Sequence, residues 1–247
     1  MSLVFISHAA VDKQIANQFQ QDVKADFLGL CDVFVSSNLD SIQAGFEWNQ
    51  VIKAKLIECS ILIGLLSPIA LTRGWVYAEF GAGWVRGIPT VPVCHSGLDR
   101  GQLPEPISAF QALNLSEPDH LAHLYTLVAK AVGCNVPQID FVGRTSSYLE
   151  TTEGIRTRRL VTDWAKQLIN WNPTMMESLK LNGSEEGIMV PANLDQAFQD
   201  FVTEAMSRGY LVIKRAGVAI GTRVGPQASV FDVSRGEKFD ELVASLN

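Results

Sequence analysis

Residues 61–84 read ILIGLLSPIALTRGWVYAEFGAGW, and two periodicities meet inside them. Ile61 to Leu66 is a continuous apolar run in which Gly64 carries no side chain. A run this short, with no polar position alternating through it, has the pattern of a strand covered on both faces. Ser67-Pro68 ends it, because proline brings no N–H to a ladder and biases the residue before it towards extended backbone. From Ile69 to Arg86 apolar residues return at helical spacing. A doubly covered strand feeding directly into a helix is the repeating unit of a parallel α/β sheet.

The same alternation extends in both directions. Leu3–Ile6 predicts a first strand ending in Ser7-His8, and Asp12 to Phe27 a helix with Ile15, Ala16, Phe19 and Val23 on one face. A second strand is expected at Asp32–Ser36 and a second helix from Phe46 to Cys59. Past the opening stretch come a strand at Thr90–Val93, fenced by Pro89 and Pro92, a fifth at Ala112–Leu115, and a helix over His120–Val132. In open sheets of this class ligands bind outside the carboxyl ends of the strands. That rule singles out Ser7-His8-Ala9, Ser36-Ser37-Asn38 and Ser67-Pro68, all polar or turn-forming.

Composition narrows the field. At 47% hydrophobic and 19% charged residues the chain can bury a core, which excludes general disorder. A net charge of −6 argues against a protein built for non-specific nucleic-acid binding. Cys31, Cys59, Cys94 and Cys134 lie far apart with no CxxC, so they read as reduced core residues rather than zinc ligands. His120 and His123 read as surface residues, and no metal is expected. The glycine-rich nucleotide motifs and the G-x-S-x-G elbow are absent. The start carries no basic n-region and the longest apolar run is too short for a bilayer, so a cytoplasmic protein without membrane contact is expected.

Beyond Gly133 the texture changes. Residues 136–153 read as a linker, and 154–247 as a small α+β module that senses or oligomerises. Helices are expected at Arg156–Trp171, Leu194–Ser207 and Lys238–Leu246, with strands at Tyr210–Lys214 and Ser229–Val233 separated by a glycine-rich loop. Arg156, Arg158 and Arg159 cluster at the start of this module, and Lys214, Arg215 and Arg223 flank the loop, so a nucleotide or protein trigger is a candidate partner here.

Within GWVYAEFGAGW, Trp75 and Glu79 are four residues apart and share a helix face. A carboxylate among rings and small residues has its pKa raised and its field strengthened. An indole offers a platform for a flat cation. A solvated glutamate beside a core tryptophan is the plainer reading of the same spacing. Gly81 and Gly83 each cost a helix about 1 kcal/mol, which close approach to a neighbour would offset.

Taken in order, VFISHAAVDK, DVFVSSNLDSIQAGFEW, LLSPIAL, WVYAE and IPTVPV resemble the Toll/interleukin-1 receptor (TIR) domain of the bacterial kind, over residues 1–135. The resemblance implies a flavodoxin-like five-stranded parallel sheet. It also implies, for the NAD+-cleaving members, rupture of the nicotinamide–ribose bond with the glutamate of W-x-x-x-E as catalytic residue, here Glu79. NAD+ is then substrate rather than cofactor, and Ser7, His8, Ala9, Gln43, Trp48 and Trp75 are the candidate contacts. His8 either donates to the phosphate or adenine or is structural. Gln43 stands where some relatives carry an acid, and Ala9-Ala10 where animal relatives can carry arginines. Trp48 either stacks on a base or packs under its loop. An effector or signal producer in antiviral defence, activated by self-association, is the expected function. A non-catalytic TIR–TIR scaffold and a nucleoside deoxyribosyltransferase-like enzyme are the alternatives.

Overall fold

Every side chain of Ile61–Leu66 is buried, as a central strand requires. The computed structural model describes residues 2–36 and 48–246, and it divides into two compact units, 1–155 and 156–247. The first unit runs β1 (Ser2–His8), α1 (Lys13–Asp26), β2 (Cys31–Val35), α2 (Trp48–Glu58), β3 (Ile61–Leu66), α3 (Gly74–Arg86), β4 (Thr90–Cys94), β5 (Leu113–Asn114) and α4 (Pro118–Val132). The five strands form one parallel sheet in the order β2-β1-β3-β4-β5, the flavodoxin-like topology.

Strand alternation sorts the core into two layers. Val4, Ile6, Ile61, Ile63 and Leu65 face one side and pack with Ile15, Phe19 and Val23 of α1 and Leu121, Leu124 and Tyr125 of α4. Leu3, Phe5, Leu62 and Leu66 face the other, against Ile52 of α2 and Val76 and Phe80 of α3. Strand β4 runs straight through Pro92, which sequence had made a fence. The reason is that β5 pairs only Val93 and Cys94, so Pro92 falls just outside that ladder.

The linker expected at 136–153 is a correction: a helix, α5 (Phe141–Trp171), occupies most of it. Its residues up to 155 belong to the first unit. Thr145, Tyr148 and Thr152 are buried at helical spacing, a pattern that serines and threonines dilute in the sequence. Arg144 forks onto Asp26 at 3.0 and 3.2 Å and reaches Asp22 at 2.9 Å. The Tyr125 hydroxyl donates to Asp26 at 2.7 Å, and Gln18 bonds Ser147 and Thr151 at 2.9 and 2.7 Å.

The second unit comprises the rest of α5, α6 (Met175–Asn182), β6 (Ser184–Pro191), α7 (Asp195–Ser207), β7 (Leu211–Thr222), β8 (Gly225–Arg235) and α8 (Phe239–Leu246). Its antiparallel sheet has the order β6-β8-β7. Trp164, Phe198, Phe201, Phe231 and Phe239 centre its core. Three expectations change here. Helix α6 and strand β6 had no clear signature, because β6 buries only Ile188 and Val190 behind an acidic start. The glycine-rich loop is instead a long hairpin, paired from Leu211↔Arg235 to Thr222↔Gly225. Its outer half exposes Val218 and Ile220, so backbone pairing rather than a buried face defines it.

Two glycines set how closely α3 lies on the sheet. A Cβ on Gly64 would sit 2.2 Å from the Phe80 ring, and one on Gly83 2.4 Å from the Thr90 hydroxyl. Gly64→Ala is therefore expected to cost about 1–3 kcal/mol through overpacking. Chemical denaturation of Gly64→Ala, Phe80→Leu and the double variant should give a double-variant loss smaller than the sum of the singles. Strict additivity would mean that the ring and the glycine do not oppose each other.

Candidate functional site

Helix α3 starts after Arg73 and stops at Gly87, whose φ of 65° closes the helix in the left-handed region where a side chain would be strained. Arg86, in its last turn, donates to the carbonyl oxygens of Leu56 and Cys59, the latter at 2.8 Å, which ties α3 to α2. Phe80 on Gly64 fixes the helix height over β3. Glu79 is thereby pressed inward at the carboxyl end of β1 and is 1% exposed.

Its surroundings are unusual for an acid. Neither carboxylate oxygen meets a donor in ordinary hydrogen-bond geometry among the described residues, and neither does the buried Ser7 hydroxyl. The Ser7 hydroxyl and the Trp75 indole favour the ionised form of Glu79. Burial outweighs them and pushes its pKa up to about 8. A buried polar group left without a partner costs about 1–3 kcal/mol, so such a group asks for an explanation. Trp75, one turn earlier, is 40% exposed. Glu79 and Trp75 also line a groove of about 600 Å³ between α2 and α3, whose walls are mostly Ile52, Leu56, Ala78, Ala82 and Val85. Lys53 and Arg86 are its cationic lining among the described residues.

The strand ends beside this acid are sealed as well. His8 is buried with its Nδ1 3.4 Å from the Ser36 hydroxyl, and burial lowers its pKa to about 4. Ala9 is buried beside it. A neutral imidazole enclosed in this way fits the structural alternative for His8 and gives no positive charge for a phosphate. The Ser67 hydroxyl donates to the buried Asp12 carboxylate at 2.6 Å and accepts from the Ala70 N–H at 3.3 Å, which clips the loop after β1 to the loop after β3. His95, past β4, is likewise buried and held near pKa 4 by burial, with His8 adding to the effect.

Motif order, sheet topology and the W-x-x-x-E helix coincide with one family description. A family model for the TIR domain matches residues 4–128, just over half of the chain. The chain belongs to the TIR domain family. No curated protein matched it in a sequence comparison.

Of the site residues expected from sequence, this TIR domain gathers Ser7, His8, Ala9, Trp75 and Glu79 at one end of the sheet. Gln43 lies outside the described residues, as does the side chain of Trp48, the first residue of α2. Asp12 and His95 were missed. Asp12 was the first residue of the expected first helix and His95 stood two residues past the expected fourth strand, and neither position carried a further signal. Among the described residues no His, Cys, Asp and Glu cluster could hold a metal, and no helix is long and apolar enough to cross a membrane.

Three groups give the stability of this domain a defined pH profile. Glu79 keeps its proton in the fold up to about pH 8, whereas the unfolded group loses it near 4.5. Between those values the folded state holds the extra proton, so stability falls as pH rises. His8 and His95 titrate near 4 when folded and 6.5 when unfolded, so their contribution is lost as pH falls through that window. Below pH 6.5 the two histidines outweigh the one acid, and above it the acid acts alone. Denaturation measured from pH 4.5 to 8.5 should peak near pH 6.5, and Glu79→Gln should flatten the alkaline limb. An unchanged alkaline limb in Glu79→Gln would remove the buried acid as its cause.

Proposed function

We propose that this TIR domain cleaves the nicotinamide–ribose bond of NAD+, with Glu79 as the catalytic residue. The observation that carries the reading is a buried carboxyl that, among the described residues, meets no donor in ordinary hydrogen-bond geometry and has the Ser7 hydroxyl and the Trp75 indole acting on it, at the strand ends where sheets of this class take ligands. In the reaction the C1′–N bond breaks and its electron pair neutralises the pyridinium nitrogen. The ribosyl carbon becomes cationic. A carboxylate in a low-dielectric setting stabilises that cation far better than water does. The approaching positive ring also supplies the charge that the buried acid lacks, which favours its ionised form. Trp75 offers an indole face for the same ring. Water then attacks C1′ and releases a proton, giving ADP-ribose, or a base nitrogen of the same molecule attacks and closes a ring.

Enclosure of Glu79 implies that the site opens when it works, and self-association is the proposed trigger. Trp84 and Val85 on α3 and Ile57 on α2 are exposed apolar side chains beside the groove, a surface suited to a second TIR domain. The same surface supports the scaffold reading if no turnover exists. A trigger at the second unit fits a cleft of about 840 Å³ whose lining includes Arg158, Arg208, Arg235 and Lys238 together with Glu237 and Glu241. Action as an antiviral effector belongs to this proposal.

Concentrated and crowded protein incubated with NAD+ should release nicotinamide, read by chromatography. Glu79→Gln should lower the rate by about 10²-fold or more while the protein stays folded. Full turnover in Glu79→Gln rejects the assignment. Absence of turnover in the unaltered protein at every concentration, with self-association retained, selects the scaffold. Cleavage of nucleosides in preference to NAD+ selects the transferase.

A further inference from the structure

Strand β7 lies at the edge of the second unit's sheet and pairs with β8 along its whole length, while its far side meets no strand among the described residues. Alternate residues of such a strand turn their N–H and C=O groups outward, a template for another strand. Folded chains ordinarily blunt an edge with charge, proline or a bulge. The inner half of β7 has two of these, the cations Lys214 and Arg215 and a register shift between Arg215 and Gly217. Past the bulge neither continues. Residues 216–222 read AGVAIGT, without charge or proline, and Arg223 follows in the turn. A Cβ built on Gly217 or Gly221 meets nothing within 4 Å, so this stretch is open to approach.

Register shows which way its side chains point. On β8, Phe231 and Val233 lie in the core of the second unit, and strand alternation puts Ser229 on the side of Phe231. Val218 stands opposite Ser229 and Ile220 opposite Gln227. The two apolar side chains thus continue the core-facing side of the sheet beyond its covered part, 51% and 87% exposed. The stretch also fits itself. An antiparallel copy laid about a two-fold axis at Ala219 sets Val218 opposite the partner subunit's Ile220, and Ile220 opposite the partner subunit's Val218. Directly opposed apolar pairs stabilise a sheet, and a two-fold axis makes each such contact twice. Lys214, Arg215 and Arg223 fall outside the paired stretch, and Arg215 is held at 3.5 Å by Asp195 of its own chain. A foreign strand has to bring a matching apolar pair, whereas a second copy brings it by symmetry.

We propose that two copies of this chain pair antiparallel through the outer half of β7, joining their three-stranded sheets into one continuous sheet. The interface lies wholly in the second unit and does not depend on the cleavage assigned to Glu79. Sedimentation of the full chain from micromolar to millimolar concentration should show a monomer–dimer equilibrium. Ile220→Asp sets a carboxylate against the partner's Val218 and should weaken the dimer about tenfold or more. At so exposed a position it should leave the thermal melting of the dilute monomer unchanged. Trp84→Asp, on the exposed face of α3, should leave the dimer intact. Ala219→Cys meets its own copy at the axis and should form an intermolecular disulfide on mild oxidation, whereas Lys214→Cys should not. If Ile220→Asp does alter melting, the cross-link decides. A monomer at every concentration, association that Ile220→Asp leaves unchanged, or a dimer that Trp84→Asp dissolves and Ala219→Cys does not cross-link overturns the proposal.

Discussion

The contact between Phe80 and the bare backbone of Gly64 sets the geometry of the end of the sheet where Glu79 lies. A strand position with no side chain lets the ring of a helix residue occupy the space directly above it. Gly83 repeats the device one turn on, against Thr90. Together they draw α3 down until Glu79, adjacent to Phe80, has nowhere to go but into the end of β1. A sheet covered at ordinary distance would leave that acid in water with an ordinary pKa. Close packing and the unusual acidity of Glu79 are thus one fact seen at two scales: van der Waals contact below, desolvation above.

Around that acid the strand ends hold two histidines that burial keeps neutral. His8 and His95 flank β3 on β1 and after β4, and both are stripped of water. The Asp12–Ser67 hydrogen bond closes the remaining gap between loops. The resting state therefore holds little charge where a charged substrate is proposed to react. Such a site gains most from a cation, because the ligand brings the partner charge that the protein withholds.

Legibility from sequence followed burial. ILIGLL announced itself because a doubly covered strand must be apolar at every position. LVFI and DVFV, on β1 and β2, were nearly as plain. Glu79 and Trp75 stood out through spacing and through the resemblance that framed them. What escaped was held by other means. The first half of α5 docks through Arg144, Thr151 and Ser147, polar residues that look like linker composition until their partners on α1 are seen. The outer half of β7 exposes its apolar side chains, so its pairing with β8 left no alternating signal. His95 had no motif around it to betray it: besides the adjacent Ser96, the group that acts on it is the Leu65 carbonyl of another strand.

The match to the TIR family ends at residue 128, yet the compact unit continues to 155. Between those points lie Phe141, packed against Tyr125, and Tyr148, wholly buried against Phe19. Inheritance and folding thus draw the border in different places. Recombination that joined this domain to a new neighbour at the edge of family resemblance would leave two aromatic faces bare. A viable exchange would have to carry the helical turns up to residue 155 along, because they cover those rings.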